Sequence, residues 1–563
     1  MKAIKNKLKK ATATHTGRII VFGILILFTA VITGGIWWWN THKKAIIRNK
    51  METAVREKSD GLYKIKYDSL EMDEIAGDLS FSNMNLSYDS TRYMDLVKMG
   101  REPSILMNIF IPRINVTGVG TPRALINNEI VGRKLEIKDP VINIIYTNSV
   151  NDSTRVVPTN EIYELILGDL HLIQADTILI SGAQITTSSH KTKKVSIRIQ
   201  DVFITLLKVK IDSSSNADTT RMLFAEEISI TCRKLAWLSV NDLYNYSADS
   251  ISVSSIDRHL RVKDFRITPT LSEEIFVRTH PEEYLRFDLS FRDIQLQNIN
   301  LPQLFEQNIM ADSMLIGAAD YKIYCDLGIA HEKKNRVGSY PQQVIEKIPV
   351  TLRVGKIIMS NGFLEYKERN KITHNTGKVQ LYHMNAGISN FTNDKKAIAV
   401  NNVMTVDIRS RLLNKTPFNI TWLFYFSHPN GRFDLKGHVG PIEGAWLNSV
   451  VEPMGNVSIK KGKINEVEFN FHGNDYSMDG TVKMLYEDLG VFMLKTNNGS
   501  KKPGKKTVMS LLANILIVNS NPKKNEDPRV EQVHIDRDPN YTIFNLSWAA
   551  LLKGMSESVG ISK

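Results

Sequence analysis

The run ITWLFYF (420–426) is followed by HPNG (428–431) and then by RFDLKGHV (432–439). Phe433, Leu435 and Val439 alternate with polar neighbours, and the Pro-Asn-Gly between the runs is turn chemistry, so the stretch reads as a β-hairpin. A period of two means a strand with one dry face and one wet face. The same period recurs along the chain. Val195, Ile197 and Ile199 oppose Lys194, Ser196 and Arg198, and Val467, Phe469 and Phe471 alternate likewise. So do Leu135 with Ile137, Ile228 with Ile230, Ile251 with Val253 and Leu352 with Val354. The expected fold is mainly β: an elongated, curled antiparallel β-sheet with a few short helices.

One phrase recurs with variation, apolar alternation followed by a short loop and a strand opened by Gly or Asn. It occurs in DLSFSNMNLSYD (78–89), RINVTGV (113–119) with KLEIKDPVINIIY (134–146), ELILGDLHLIQADTILISGAQITT (164–187), DLSFRDIQLQNINL (288–301) and RVGKIIMSNGFLEYKE (353–368). The copies differ in length, which makes a loose repeat rather than a solenoid of fixed period. No Pro- or Gly-rich linker divides residues 61–500, read here as one body. Helical patterning is confined to residues 43–60, 159–167, 507–517 and 549–554, the last ending at Gly554 as a helix C-terminus. No strand-helix-strand rhythm is present, which excludes a doubly wound enzyme fold.

At 563 residues the chain is too long for one compact core. Its 42% hydrophobic and 23% charged residues describe a folded protein rather than a disordered one. The net charge of +13 is concentrated at the ends. Residues 1–60 carry 12 basic and 3 acidic residues and residues 501–563 carry 10 and 6, leaving 50 of each sign between. A neutral body offers no basic face to a polyphosphate, so no nucleic-acid partner is expected.

Ile19 to Trp39 is 21 residues without a charge, the length a helix needs to cross the hydrocarbon of a bilayer. Trp37, Trp38 and Trp39 close it, as indole rings prefer the headgroup layer. A cleaved signal peptide has a shorter apolar stretch ending in small residues. The reading is an uncleaved anchor over 19–39, preceded by a basic tail over 1–18 and followed by a helical stalk over 40–60. Lys2, Lys5, Lys7, Lys9, Lys10 and Arg18 before the span outnumber Lys43, Lys44, Arg48 and Lys50 after it, which places the N-terminus in the cytoplasm and the bulk of the chain across the membrane. Residues 501–563 read as a basic loop and a C-terminal helical segment.

Chemistry for catalysis is sparse. Thirteen histidines are scattered without an HxH pair, and His331-Glu332 lacks the second histidine of a zinc-protease helix, so neither a metal nor a cofactor is expected. Gly118-Val119-Gly120 reads as a turn, and Ser458 with Lys461 as a chance spacing in a strand. Gly499 to Thr507 has the Gly-x4-Gly-Lys of a phosphate loop, but Lys506 stands where a hydroxyl holds magnesium and Pro503 removes a cradling N–H. Cys232 and Cys325 read as small buried residues, with a disulfide between them left open. Asp68-Ser69-Leu70, Asp176-Thr177-Ile178, Asp249-Ser250-Ile251 and Asp312-Ser313-Met314 resemble the O-glycosylation sites of Bacteroidota, though triplets this simple also arise by chance.

The stretch SDGLYKIKYDSLEMDEIAGDLSFSNMNLSYD (59–89) and the stretch WLNSVVEPMGNVSIKKGKINEVEFNFHGNDYSMDGTVKMLYEDLGVFMLK (446–495), behind a basic tail and single helix, resemble the AsmA-like envelope proteins of diderm bacteria. The resemblance implies an inner-membrane anchor and a repeating β-groove in the periplasm, carrying glycerophospholipid toward the outer membrane and supporting its biogenesis. It implies no catalytic motif, and the expected partners are membrane lipids, the inner membrane and an outer-membrane or envelope protein.

An apolar sheet face needs a cover, and acyl chains supply one if the polypeptide does not. Ile197, Ile199, Phe433, Leu435, Val467, Phe469 and Phe471 are the expected groove lining, with Ile19, Trp37, Trp38 and Trp39 in the anchor. The alternative is a non-enzymatic structural or regulatory scaffold that binds other envelope proteins through sheet edges.

Overall fold

The computed structural model describes residues 52–53, 55–57, 59–73, 76–119, 129–147, 171–212, 221–239, 241–283, 285–305, 308–330, 334–455, 457–495, 510–511 and 520–560. The tail, the anchor with Ile19, Trp37, Trp38 and Trp39, the helix read at 159–167 and the Gly499–Lys506 loop lie outside them. Among the described residues no helix is long and apolar enough to cross a membrane. Of the stalk, residues 52–53 and 55–57 are helical.

The protein is mainly β and divides into two compact units, residues 1–263 with 299–307, and residues 264–298 with 308–563. The helices are α1 (Ser90–Lys98), α2 (Glu273–Thr279), α3 (Leu301–Phe305), α4 (Pro341–Glu346), α5 (Lys395–Val400), α6 (Asn448–Gly455) and α7 (Ile543–Ser558).

In the first unit β1 (Tyr63–Lys66) and β2 (Ser69–Asp73) both pair antiparallel with β3 (Asp78–Tyr88), which pairs with β4 (Ile105–Thr117). The two halves of β4 pair with β6 (Val141–Tyr146) and β5 (Glu129–Lys138). Both of those run parallel to β7 (Leu172–Ser189), after which β8 (Val195–Asp212), β9 (Glu227–Leu238) and β10 (Tyr244–Ser254) add antiparallel. β11 (His259–Pro269) carries the division between the units.

The second unit begins with the antiparallel pair β12 (Arg286–Gln297) and β13 (Ile309–Asp326). β13 then runs parallel to β14 (Leu352–Arg369), with α4 in the crossover. β15 (Thr376–Thr392), β16 (Val403–Leu412), β17 (Thr416–Tyr425) and β18 (Phe433–Val439) follow antiparallel. β18 and the short β19 (Ile442–Glu443) both pair with β20 (Val457–Gly473). β20 leads to β21 (Ser477–Lys495), which carries β22 (Ser510–Leu511) and β23 (Glu531–Asp536).

The hairpin at 420–439 forms as read, with Trp422 opposite Leu435 and Phe424 opposite Phe433. The purely antiparallel expectation is corrected at β5, β6 and β7 and at β13 and β14, where the ladders are parallel. A parallel join needs a crossover of a dozen residues or more, and both joins have one. The helix read at 507–517 is corrected where it is described, since Ser510–Leu511 is a strand paired with Leu494 and Lys495. Gly554 is not a helix end: α7 runs on to Ser558. Cys232 and Cys325 are both buried and are not joined by a disulfide.

Recurring bulges shape the strands. Asn83, Asp201 and Ser250 in the first unit and Asp293, Asn361 and His383 in the second have φ between 50° and 53°, the left-handed region that short polar side chains tolerate best. Each such residue bends its strand. The four Asp-Ser/Thr triplets belong to this geometry. Asn83 donates to Asp68 at 2.8 Å and Asn298 (φ 52°) donates to Asp312 at 2.8 Å. Ser250 is itself left-handed, and Asp176 falls where the β7–β8 ladder skips opposite left-handed Lys208.

Candidate functional site

On β12 to β16 the pairing brings apolar side chains into rows across the strands. Leu289, Tyr321, Leu364, Leu381 and Leu412 stand side by side on five successive strands. Neighbouring rows are Phe287, Ile323, Tyr366 and Val379 on one side, and Ile294, Ile316, Met359, Ala386 and Ile408 on the other. Five strands at about 4.8 Å spacing span roughly 20 Å.

A line of bulges crosses this patch. Asp293 on β12, Asn361 on β14 and His383 on β15 are all left-handed; the β12–β13 ladder misses a pair at this level, and the β14–β15 and β15–β16 ladders shift register there. On β13 the line passes Gly317, where a Cβ would come 3.0 Å from that of Asp293. Along the line Ala319, Met359 and Met384 are buried, at 0%, 5% and 5% exposure. The side chains flanking them, Phe291, Ile316, Tyr321, Leu364, Ala386 and Ile408, are only partly buried. The two methionine methyls meet over Gly362, where a Cβ would lie 2.9 Å from Met359 Cε and 3.1 Å from Met384 Cε. The floor is therefore packed while the rows on either side keep part of their surface in solvent.

Burial raises the Tyr321 hydroxyl pKa, and that hydroxyl contacts Met359 Sδ at 3.5 Å. Burial also pushes the Glu368 carboxyl up, against the pull of a hydrogen bond that Tyr366 Oη donates to it at 2.8 Å.

The seven residues read as lining fall in two different settings. Ile197 and Ile199 are half-buried on β8, opposite Trp237 and Leu235 of β9. Trp237 stacks on Tyr246 with ring centroids 5.0 Å apart, and burial raises the Tyr246 pKa. Phe433, Leu435, Val467, Phe469 and Phe471 are buried, none more than 6% exposed. They belong to one core with Ile543, Leu546 and Ala550 of α7 and with Tyr340, the N-cap of α4, whose ring meets Phe433 edge-on at 5.1 Å. α7 lies on that face because Gly554 packs against Val482, the ladder partner of Phe469. These five side chains are thus covered by the chain's own helices. The half-buried rows on β12–β16 are different residues. Their alternation is visible at 288–301 and 353–368, but nothing in those runs marks them as only half-buried.

The polar face of the second unit carries a ladder of alternating aspartate and histidine. Asp434, His472, Asp479 and His534 are successive partners on β18, β20, β21 and β23. His472 bonds Asp434 at 2.8 Å and His534 bonds Asp479 at 2.6 Å, which holds the His534 pKa up. Hydrogen-bonded side-chain pairs directly across a ladder support the strand pairing. Among the described residues no group of histidine, cysteine and acidic side chains is arranged to hold a metal ion.

No protein-family model matches the chain, and no curated protein matches its sequence.

Proposed function

We propose that the protein is a membrane-anchored, non-enzymatic envelope protein whose apolar sheet face binds the acyl chains of glycerophospholipid and conducts them between inner and outer membrane. The observation that carries this reading is the patch on β12–β16. Its rows of leucine, isoleucine and aromatic side chains are half-buried, whereas the apolar side chains of β18, β20 and β21 are buried in the core that α7 joins. Each methylene removed from water is worth about 0.8 kcal/mol, so a 16-carbon chain gains roughly 13 kcal/mol if the face replaces its water contacts in full. The charge-free stretch from Ile19 to Trp39 supports the anchor, and the resemblance at 59–89 and 446–495 supports the compartment. The scaffold reading draws on the part of the sheet whose apolar side chains are already buried by the chain itself.

The test is purification of the full chain in detergent, followed by identification of co-bound molecules. Lipid in stoichiometric amount is expected, and it should fall in Leu381→Asp, which puts a charge in the central row. Thermal unfolding of the variant checks that it remains folded. A wild-type chain that carries no lipid, or one whose lipid is unaffected by a folded Leu381→Asp, leaves only the scaffold.

A further inference from the structure

One acid stands on the apolar face. Glu368 follows Leu364 and Tyr366 at the two-residue spacing that keeps side chains on one side of β14, and its ladder neighbours are Cys325 on β13 and Gly377 on β15, the latter packed by Met454 and Pro453 of α6. It is half-buried, and its partner is the Tyr366 hydroxyl at 2.8 Å. Lys367 and Arg369, which flank it in sequence, point to the opposite face and are engaged there by Glu273 and Asp326, at 2.7 and 3.2 Å. No basic side chain forms an ion pair with Glu368 among the described residues.

A carboxylate drawn out of water without a counter-charge is costly, and the cost falls when a cation is brought to it. Tyr366 already donates to this carboxyl, so what remains open on it is acceptor capacity. A primary ammonium brings one positive charge and three N–H donors, whereas an anionic headgroup brings repulsion.

We infer that Glu368 selects the headgroup: the face takes a lipid with a primary ammonium, which pairs with Glu368 while the acyl chain lies along the row of Leu364 and Leu381. This rests on the lipid-binding reading of the same face and adds the class of lipid. Glu368 acts here as a specificity residue, since chain burial on the leucine rows does not depend on it.

The experiment is native mass spectrometry of the full chain in detergent, equilibrated with equimolar dioleoyl phosphatidylethanolamine and dioleoyl phosphatidylglycerol. Lipid bound to the face is taken as the part lost in Leu381→Asp. The expected result is an ethanolamine preference of about tenfold, the equivalent of roughly 1.4 kcal/mol. In Glu368→Gln the preference disappears while total lipid is retained. Tyr366→Phe, which removes the hydrogen bond but leaves the charge, keeps the preference and serves as the second variant. Equal binding of both headgroups by wild type, or a preference that survives Glu368→Gln, overturns the role of Glu368 and leaves lipid binding standing. Absence of any lipid sensitive to Leu381→Asp removes lipid binding itself, and the selection with it.

Discussion

Two carboxyls in the second unit titrate in opposite directions. Burial would raise Asp434, but the Tyr425 hydroxyl at 2.6 Å and His472 at 2.8 Å outweigh it and hold its carboxyl low. Glu368 has burial with one hydrogen bond against it, and its carboxyl is held high. The consequences for stability follow from which state binds more protons. Asp434 contributes stability above the unfolded aspartate range, and the contribution is lost as pH falls through its lowered folded pKa. Glu368 costs nothing in acid, and its cost grows as pH rises from the unfolded glutamate pKa of about 4.3 through the raised folded one. Glu368→Gln is therefore expected to melt higher than wild type at pH 7.5 and level with it at pH 4. Asp434→Asn should melt lower at neutral pH, with the gap closing in acid. Melting curves of the full chain at both pH values check this, and a Glu368→Gln variant less stable than wild type at pH 7.5 would contradict the assignment.

At the scale of elements, α7 illustrates how a local rule yields to packing. A glycine after an apolar run is a good sign of a helix end, and Gly554 was an obvious one to read. The helix continues because Gly554 is where it touches the sheet: a Cβ there would lie 2.4 Å from Val482 Cγ2 and 3.0 Å from Val533 Cγ2. In an exposed helix Gly→Ala stabilises by about 1 kcal/mol. Here overpacking of about 1–3 kcal/mol opposes it, so Gly554→Ala should lower the urea midpoint. A raised midpoint would mean that α7 docks less tightly than its buried Leu546 and Ala550 imply.

The loops that hold this end together were less legible still. Arg537 and Asp475 form an ion pair at 2.9 Å, with side chains 0% and 5% exposed. Gly338 N donates to Asp475 at 3.0 Å, Gln343 Nε2 at 2.7 Å, and the Arg537 guanidinium lies 4.3 Å from the Tyr340 ring centre. These partners are 62 and about 130 residues apart in sequence, and no spacing rule joins them. Arg537→Ala leaves the Asp475 charge buried without its cation and should cost about 3–5 kcal/mol in urea unfolding. A loss below about 1 kcal/mol, the range of an exposed pair, would show that water reaches the site.

Across the whole molecule, period-two alternation was enough to find the strands, because each side chain's face depends only on its own parity. It was not enough to tell covered rows from uncovered ones. Phe433 with Leu435 and Leu289 with Phe291 alternate alike, yet the first pair lies in the core that α7 joins and the second on the half-buried face. The difference comes from tertiary packing in a core that gathers residues as distant as α7, more than a hundred residues downstream, which the runs themselves do not encode. The bulges were legible only in retrospect, as Asp, Asn and His placed inside strands. This division between sealed and open rows makes a prediction about where a ligand acts. A ligand that binds only the native state stabilises it by about 2.7 kcal/mol at a concentration 100 times its dissociation constant, and the gain appears in the segments whose opening releases it. Hydrogen exchange of the full chain with and without dioleoyl phosphatidylethanolamine should slow in β12–β16 and leave β18, β20 and β21, whose apolar side chains are already buried, unchanged. Slowing confined to β18–β21, or to residues outside both sets, would place the lipid away from the rows of Leu289, Leu364 and Leu381 and detach the open face from the proposed function.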